Sequence, residues 1–126
     1  MYKLLVVDDE IDICDFVKNF FEERGFRVFA ALNGTEAVSI AQRERPDIIL
    51  LDIKMKGMDG LVALRHIREV QNDAKVIMVT ALEDQEHMDE AFKNGAISYI
   101  TKPLVLEDLE ATVMKTFRGR CDIQQP

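Results

Sequence analysis

Residues Ile48–Gly60 read IILLDIKMKGMDG. Four apolar residues in a row end abruptly on a carboxylate, Asp52, and two lysines, Lys54 and Lys56, follow close behind. A short, continuously apolar run is what a strand buried on both faces looks like, and such strands belong to parallel sheets. The segment therefore reads as a central strand that delivers an acid at its carboxyl end. DIILL (Asp47–Leu51) has companions in KLLVV (Lys3–Val7), RVFAA (Arg27–Ala31), KVIMV (Lys75–Val79) and AISYI (Ala96–Ile100).

Helical periodicity fills the intervals. Ile13, Phe16, Val17, Phe20 and Phe21 recur at the spacing of one helix face, and Gly25 follows as a stop. Asn33 with Glu36 resembles a capping box, and Pro46 bars the second helix from continuing. Leu61, Leu64 and Ile67 mark a third helix. Met88, Ala91 and Phe92 mark a fourth, ended by Gly95. Leu106, Leu109, Val113 and Phe117 mark a fifth. Five strand–helix units predict an α/β domain built on a doubly wound parallel sheet, with right-handed crossovers and helices on both faces.

The bulk numbers agree. A chain of 126 residues suits one domain, and 48% hydrophobic with 31% charged residues is globular composition. A net charge of −7 argues against nucleic acid as a direct partner, since phosphate backbones need a basic face. No apolar run approaches a membrane span, and MYKLLVVDDE is too short an apolar stretch for a signal peptide. Cys14 and Cys121 read as free thiols in a reducing cytoplasm. His66 and His87 lie on helical segments among charged neighbours and read as solvent-facing, without metal-ligand partners. Residues 118–126 read as a tail or the start of a linker after a domain of residues 1–117.

In open α/β sheets, ligands bind beyond the carboxyl ends of the strands. There the sequence places Asp8, Asp9 and Glu10; Leu32, Asn33 and Gly34; Asp52; Thr80 and Ala81; and Thr101, Lys102 and Pro103. Taken singly, each has an ordinary reading: Asp as a helix cap, Thr80 as a turn residue, Lys102 as surface charge. Together they gather three aspartates, a hydroxyl and a lysine on one sheet edge. Two carboxylate charges ~4 Å apart repel by roughly 4 kcal/mol at an effective dielectric near 20. Lys102 offsets part of that, and a hard divalent cation with oxygen ligands, Mg²⁺ or Mn²⁺, offsets more. Aspartate, hydroxyl, lysine and Mg²⁺ are the parts of a phosphoryl-transfer site.

LLVVDDE, IILLDIKMKGMDG, VIMVTAL and GAISYITKP, in this order, resemble the signature segments of response-regulator receiver domains of two-component signalling. The resemblance covers Lys3 to about Phe117. It implies the flavodoxin-like strand order 2-1-3-4-5. It implies that Asp52 accepts a phosphoryl group from a sensor histidine kinase or histidine phosphotransfer protein. It makes Asp9, Asp52 and the Lys54 carbonyl Mg²⁺ ligands, with Asp8 holding a metal-bound water. Thr80 and Lys102 contact phosphoryl oxygens, Tyr99 changes rotamer when Thr80 moves, and the Lys102–Pro103 bond is cis. The output face, also a homodimer face in such domains, is made by the fourth helix, fifth strand and fifth helix. The implied activity is self-catalysed phosphotransfer and autodephosphorylation in a cytoplasmic signalling domain, not turnover by an enzyme.

Two positions depart from the family pattern. Lys56 stands where proline is usual, and Lys54 is a less usual residue beside the phosphoryl site. Three other readings compete. A haloacid-dehalogenase-type aspartyl phosphatase needs a second Asp where Lys54 stands. A flavodoxin-like electron carrier needs a phosphate loop that DDEID would not provide. A pseudo-receiver that binds protein without phosphorylation usually lacks one of the acids, the Thr or the Lys, all present here.

Overall fold

The computed structural model describes residues 1–81 and 85–124, with side chains as far as Phe117. Its elements run β1 (Lys3–Val7), α1 (Ile11–Glu22), β2 (Arg27–Ala31), α2 (Gly34–Glu44), β3 (Ile48–Leu51), α3 (Gly60–Val70), β4 (Lys75–Thr80), α4 (Gln85–Lys93), β5 (Ser98–Thr101) and α5 (Leu106–Gln124). The five strands are parallel, in the order β2-β1-β3-β4-β5. This is the expected flavodoxin-like doubly wound α/β fold.

Strand alternation sorts the core into two halves. Leu5, Val7, Ile49, Leu51, Val76 and Met78 pack with residues of α2, α3 and α4. Leu4, Val6, Ile48, Leu50, Ile77 and Val79 pack with residues of α1 and α5. The interiors of the central strands β1, β3 and β4 are apolar because both faces are covered. Each fully buried aliphatic side chain stabilises the fold by about 1.5–3 kcal/mol. The strand ends, and whatever they carry, are therefore fixed by a rigid sheet.

Helix ends follow local chemistry. The Asn33 side chain accepts the Glu36 N–H at 2.8 Å, while the Glu36 carboxylate reaches back to the Leu32 N–H at 3.0 Å, one residue before the reciprocal partner of a standard capping box. Gly25 and Gly95 take φ of +88° and +98°, conformations that a Cβ disfavours, and both follow helix ends as expected. At Arg45, just before Pro46, the chain leaves α2 with φ of +48°.

Several side chains and boundaries differ from the sequence reading. Phe16 is exposed, because α1 turns Cys14, Val17 and Phe21 inward instead. Phe92 is also exposed, and α4 buries Ala91. β4 extends to Thr80, and β5 begins at Ser98, paired with Ile77, because Ala96 is still closing the turn after α4 with its N–H on the Ala91 carbonyl. The α5 backbone is helical to Gln124. Cys121 lies outside the described side chains. His66 is exposed, with Nδ1 3.4 Å from Glu69 Oε1, whereas His87 is half-buried. Among the described residues, no helix is long and apolar enough to cross a membrane.

Candidate functional site

The two-residue strand period builds the site. Leu4, Val6 and then Asp8 continue one face of β1, while Ile48, Leu50 and then Asp52 continue the same face of β3. The ladder runs on one residue past each strand. The Asp8 N–H donates to the Ala31 carbonyl at 3.1 Å and the Asp52 N–H to the Val7 carbonyl at 3.1 Å. Both carboxylates are thereby held side by side, and both are buried, 3% and 5% exposed.

Lys102 joins them. Its N–H donates to the Thr80 carbonyl at 2.8 Å, and the following bond to Pro103 is cis, as expected. Its Nζ donates to Asp8 Oδ2 at 2.7 Å and to Asp52 Oδ2 at 2.9 Å. Burial works against the ammonium, but hydrogen bonds to Asp8 and Asp52 and the charges of both outweigh it, so its pKa lies above the ordinary lysine value.

The other carboxylate oxygens are met by backbone donors. Asp8 Oδ1 accepts the Glu10 N–H at 2.9 Å, and Asp52 Oδ1 accepts the Lys54 N–H at 3.2 Å. Asp9 Oδ2 accepts the Lys56 N–H at 3.3 Å, a bond from the loop after β3 to the loop after β1. Asp8, Asp9 and Glu10 each offer a carboxylate oxygen, all within 4.8 Å of one another. This all-oxygen, strongly anionic donor set fits a hard divalent cation. Asp52 lies outside that trio, its two oxygens engaged by Lys102 and the Lys54 N–H. Glu10 was legible in the sequence as a strand-end acid but stood outside the expected ligand set.

Thr80 is wholly buried and pairs with Thr101 in the β4–β5 register, where Met78 pairs with Tyr99. Thr80 and Tyr99 thus share one sheet face, and Tyr99 is partly buried against the core on the α2–α3–α4 side. Ala81 is exposed at the mouth.

Two supporting residues escaped the sequence reading. A Cβ on Gly60 would overlap the Asp52 carbonyl oxygen and meet Ile53 Cα, so only glycine lets α3 start this close to the acid. Its one signal was the Asp-Gly pair opening an apolar-periodic run. Cys14 Sγ lies 3.4 Å from the Asp8 carbonyl oxygen and 3.8 Å from that of Ala31. Burial, then the Asp8 charge, push its thiol pKa up to about 11. Nothing in a lone helical cysteine could have announced that contact.

A doubly wound parallel sheet with a buried Asp–Lys–Asp bridge and an acidic trio at one edge defines a flavodoxin-like α/β domain with an acidic strand-end site. Within it, the family model of the response regulator receiver domain matches residues 4–114, and the chain belongs to that family. It is 44% identical over 115 residues to the chemotaxis protein CheY of Listeria monocytogenes, covering 87% of this chain and 97% of that one. A CheY-like receiver domain protein from Methanospirillum hungatei superimposes with a TM-score of 0.93 at 28% identity, over 97% of this chain and 98% of that one. The CheX–CheY–BeF3–Mg²⁺ complex from Borrelia burgdorferi contains a chain with a TM-score of 0.87 at 33% identity, over 92% of this chain and 89% of that one. The protein is a signalling domain of two-component, phosphorelay type.

Proposed function

We propose that Asp52 is a phosphoacceptor, taking a phosphoryl group from a phosphohistidine of a sensor histidine kinase or histidine phosphotransfer protein in the cytoplasm. The observation that carries this is the Lys102 ammonium shared between Asp52 and Asp8, at 2.9 and 2.7 Å. An Asp52 oxygen attacks phosphorus, the P–N bond breaks, and the imidazole leaves with its electron pair. Lys102 can then turn from the carboxylate to a phosphoryl oxygen without leaving the site. Ala81, small and at the mouth, leaves an approach for the donor ring. Asp9, Asp52 and the Lys54 carbonyl would hold a divalent cation, Mg²⁺ or Mn²⁺, with Asp8 on a metal-bound water, and the cation would supply charge neutralisation for the transferring group.

The new phosphoryl charge, about −1.5 to −2, adds acceptors beside Thr80. Thr80 bonds one of them, and Tyr99, on the same sheet face, takes up the vacated space. The α4–β5–α5 surface reports the change as a shift between two states, to an output or to a second copy of the domain. We assign this activity to a domain of residues 1–117. The Lys54 side chain, exposed beside Asp52, tunes the lifetime of the acyl phosphate. Acetyl phosphate with Mg²⁺ should add one phosphoryl mass to the wild type and none to Asp52→Ala. Label retained in that variant would defeat the assignment, and its absence from both would favour a pseudo-receiver.

A further inference from the structure

Most of the acids around the site are oriented by a backbone N–H two residues further along their own loop: Glu10 for Asp8, Lys54 for Asp52, and Leu61 for Asp59. Asp9 is different. Its Oδ2 accepts from the Lys56 N–H, across 47 residues of sequence, at 3.3 Å. Asp9 is also half-buried, where Asp8 and Asp52 are buried, so its side chain has more room to wander. Yet Asp8, Asp9 and Glu10 converge to within 4.8 Å.

A carboxylate has two oxygens in one plane. Fixing one by a donor sets the direction of the other. Outer partners of this kind orient metal ligands, and their loss typically lowers metal affinity by about 10–100-fold. We propose that the Lys56 backbone N–H is a positioning group for Asp9, tying the loop after β3 to the cation site on the loop after β1. This rests on the reading of Asp9 as a cation ligand. It concerns the main-chain N–H, not the lysine side chain, which is exposed.

The consequence is specific to a residue that possesses an N–H. Lys56→Ala retains the donor and discards the ammonium. Lys56→Pro removes the donor. Cation occupancy and loop order are coupled through the bond, so binding at the acids should protect the Lys56 amide.

The test is titration of the three proteins with Mg²⁺, followed by ¹H–¹⁵N spectra and amide exchange. Lys56→Ala should bind within about twofold of the wild type, and Lys56→Pro about tenfold more weakly, in line with the loss of an outer partner. In the wild type, saturating Mg²⁺ should slow exchange at Lys56. Equal affinity in the alanine and proline variants, or unchanged Lys56 exchange while the Asp8–Glu10 amides shift, would overturn the positioning role alone. No Mg²⁺-dependent shift at Asp8, Asp9 or Glu10 in the wild type would overturn the cation reading beneath it. If the proline variant fails to fold, unchanged Lys56 exchange in the Mg²⁺-saturated wild type still overturns the positioning role.

Discussion

Lys102 Nζ sits within 2.9 Å of two buried carboxylates, so its removal leaves both charges without that cation. Breaking a buried pair typically costs about 3–5 kcal/mol. Lys102→Met should therefore lose ~3 kcal/mol in urea unfolding at neutral pH. The sign of the alkaline dependence is also fixed. The folded pKa of Lys102 is raised, so its contribution is complete below the ordinary value of 10.5 and fades as pH rises through the folded value. Cys14 behaves likewise as an acid kept neutral. Its contribution is complete below pH 9.0 and is lost toward about 11, because the unfolded thiol ionises first. Alkaline unfolding between those limits should cost the wild type ~2 kcal/mol more than Cys14→Ala. In a Cys121→Ser background, Cys14 should resist a thiol reagent until denaturant is added. Asp8, Asp9, Asp52, Thr80 and Lys102 were legible because the sheet collects strand ends, so position along the chain predicts position in space. The Lys56–Asp9 bond was not, since an N–H is common to nearly every residue and carries no sequence signal.

At the scale of elements, the β3–α3 connection is packed closely around Gly60. Gly60 abuts the Asp52 carbonyl and Ile53, and its N–H donates to the Ile53 carbonyl at 2.7 Å. Gly60→Ala must move α3 or the backbone of Asp52, and we expect a loss of ~3 kcal/mol together with slower phosphorylation, read by urea unfolding and by the rate of label uptake. Asp59→Ala removes only the cap on the Leu61 N–H, at 2.7 Å, and should cost ~1 kcal/mol with the site intact. β1 and β2 were legible to the residue, each opening on a basic residue, Lys3 and Arg27, ahead of its apolar run. β5 was misread by two residues at its start. Ala96 looks like strand but closes the turn after α4, and Ile97, with its N–H on the Val76 carbonyl, leads into the sheet. Phe16 and Phe92 show the limit of periodicity, which marks an apolar face but not how far the helix is rotated over the sheet.

At the scale of the whole molecule, both faces of the sheet are covered, and Asp8, Asp9, Glu10 and Asp52 gather where the strands end. A cation bound there should stabilise the fold by mass action, about 2.7 kcal/mol at a concentration a hundredfold above Kd, and Asp9→Asn should abolish that gain in thermal midpoint. Layering and parallel pairing could be argued from apolar runs alone. The strand order could not, because hydrophobic pattern says that a strand is central without naming its neighbours; it came with the family resemblance. We propose that this architecture makes Asp52 a phosphoacceptor. The most direct test is to treat the chain with acetyl phosphate and Mg²⁺, trap acyl phosphate by borohydride reduction, and sequence the peptides by mass spectrometry. The account predicts reduction to homoserine at position 52. Reduction at position 8 or 9 instead, or none at any aspartate, would contradict it.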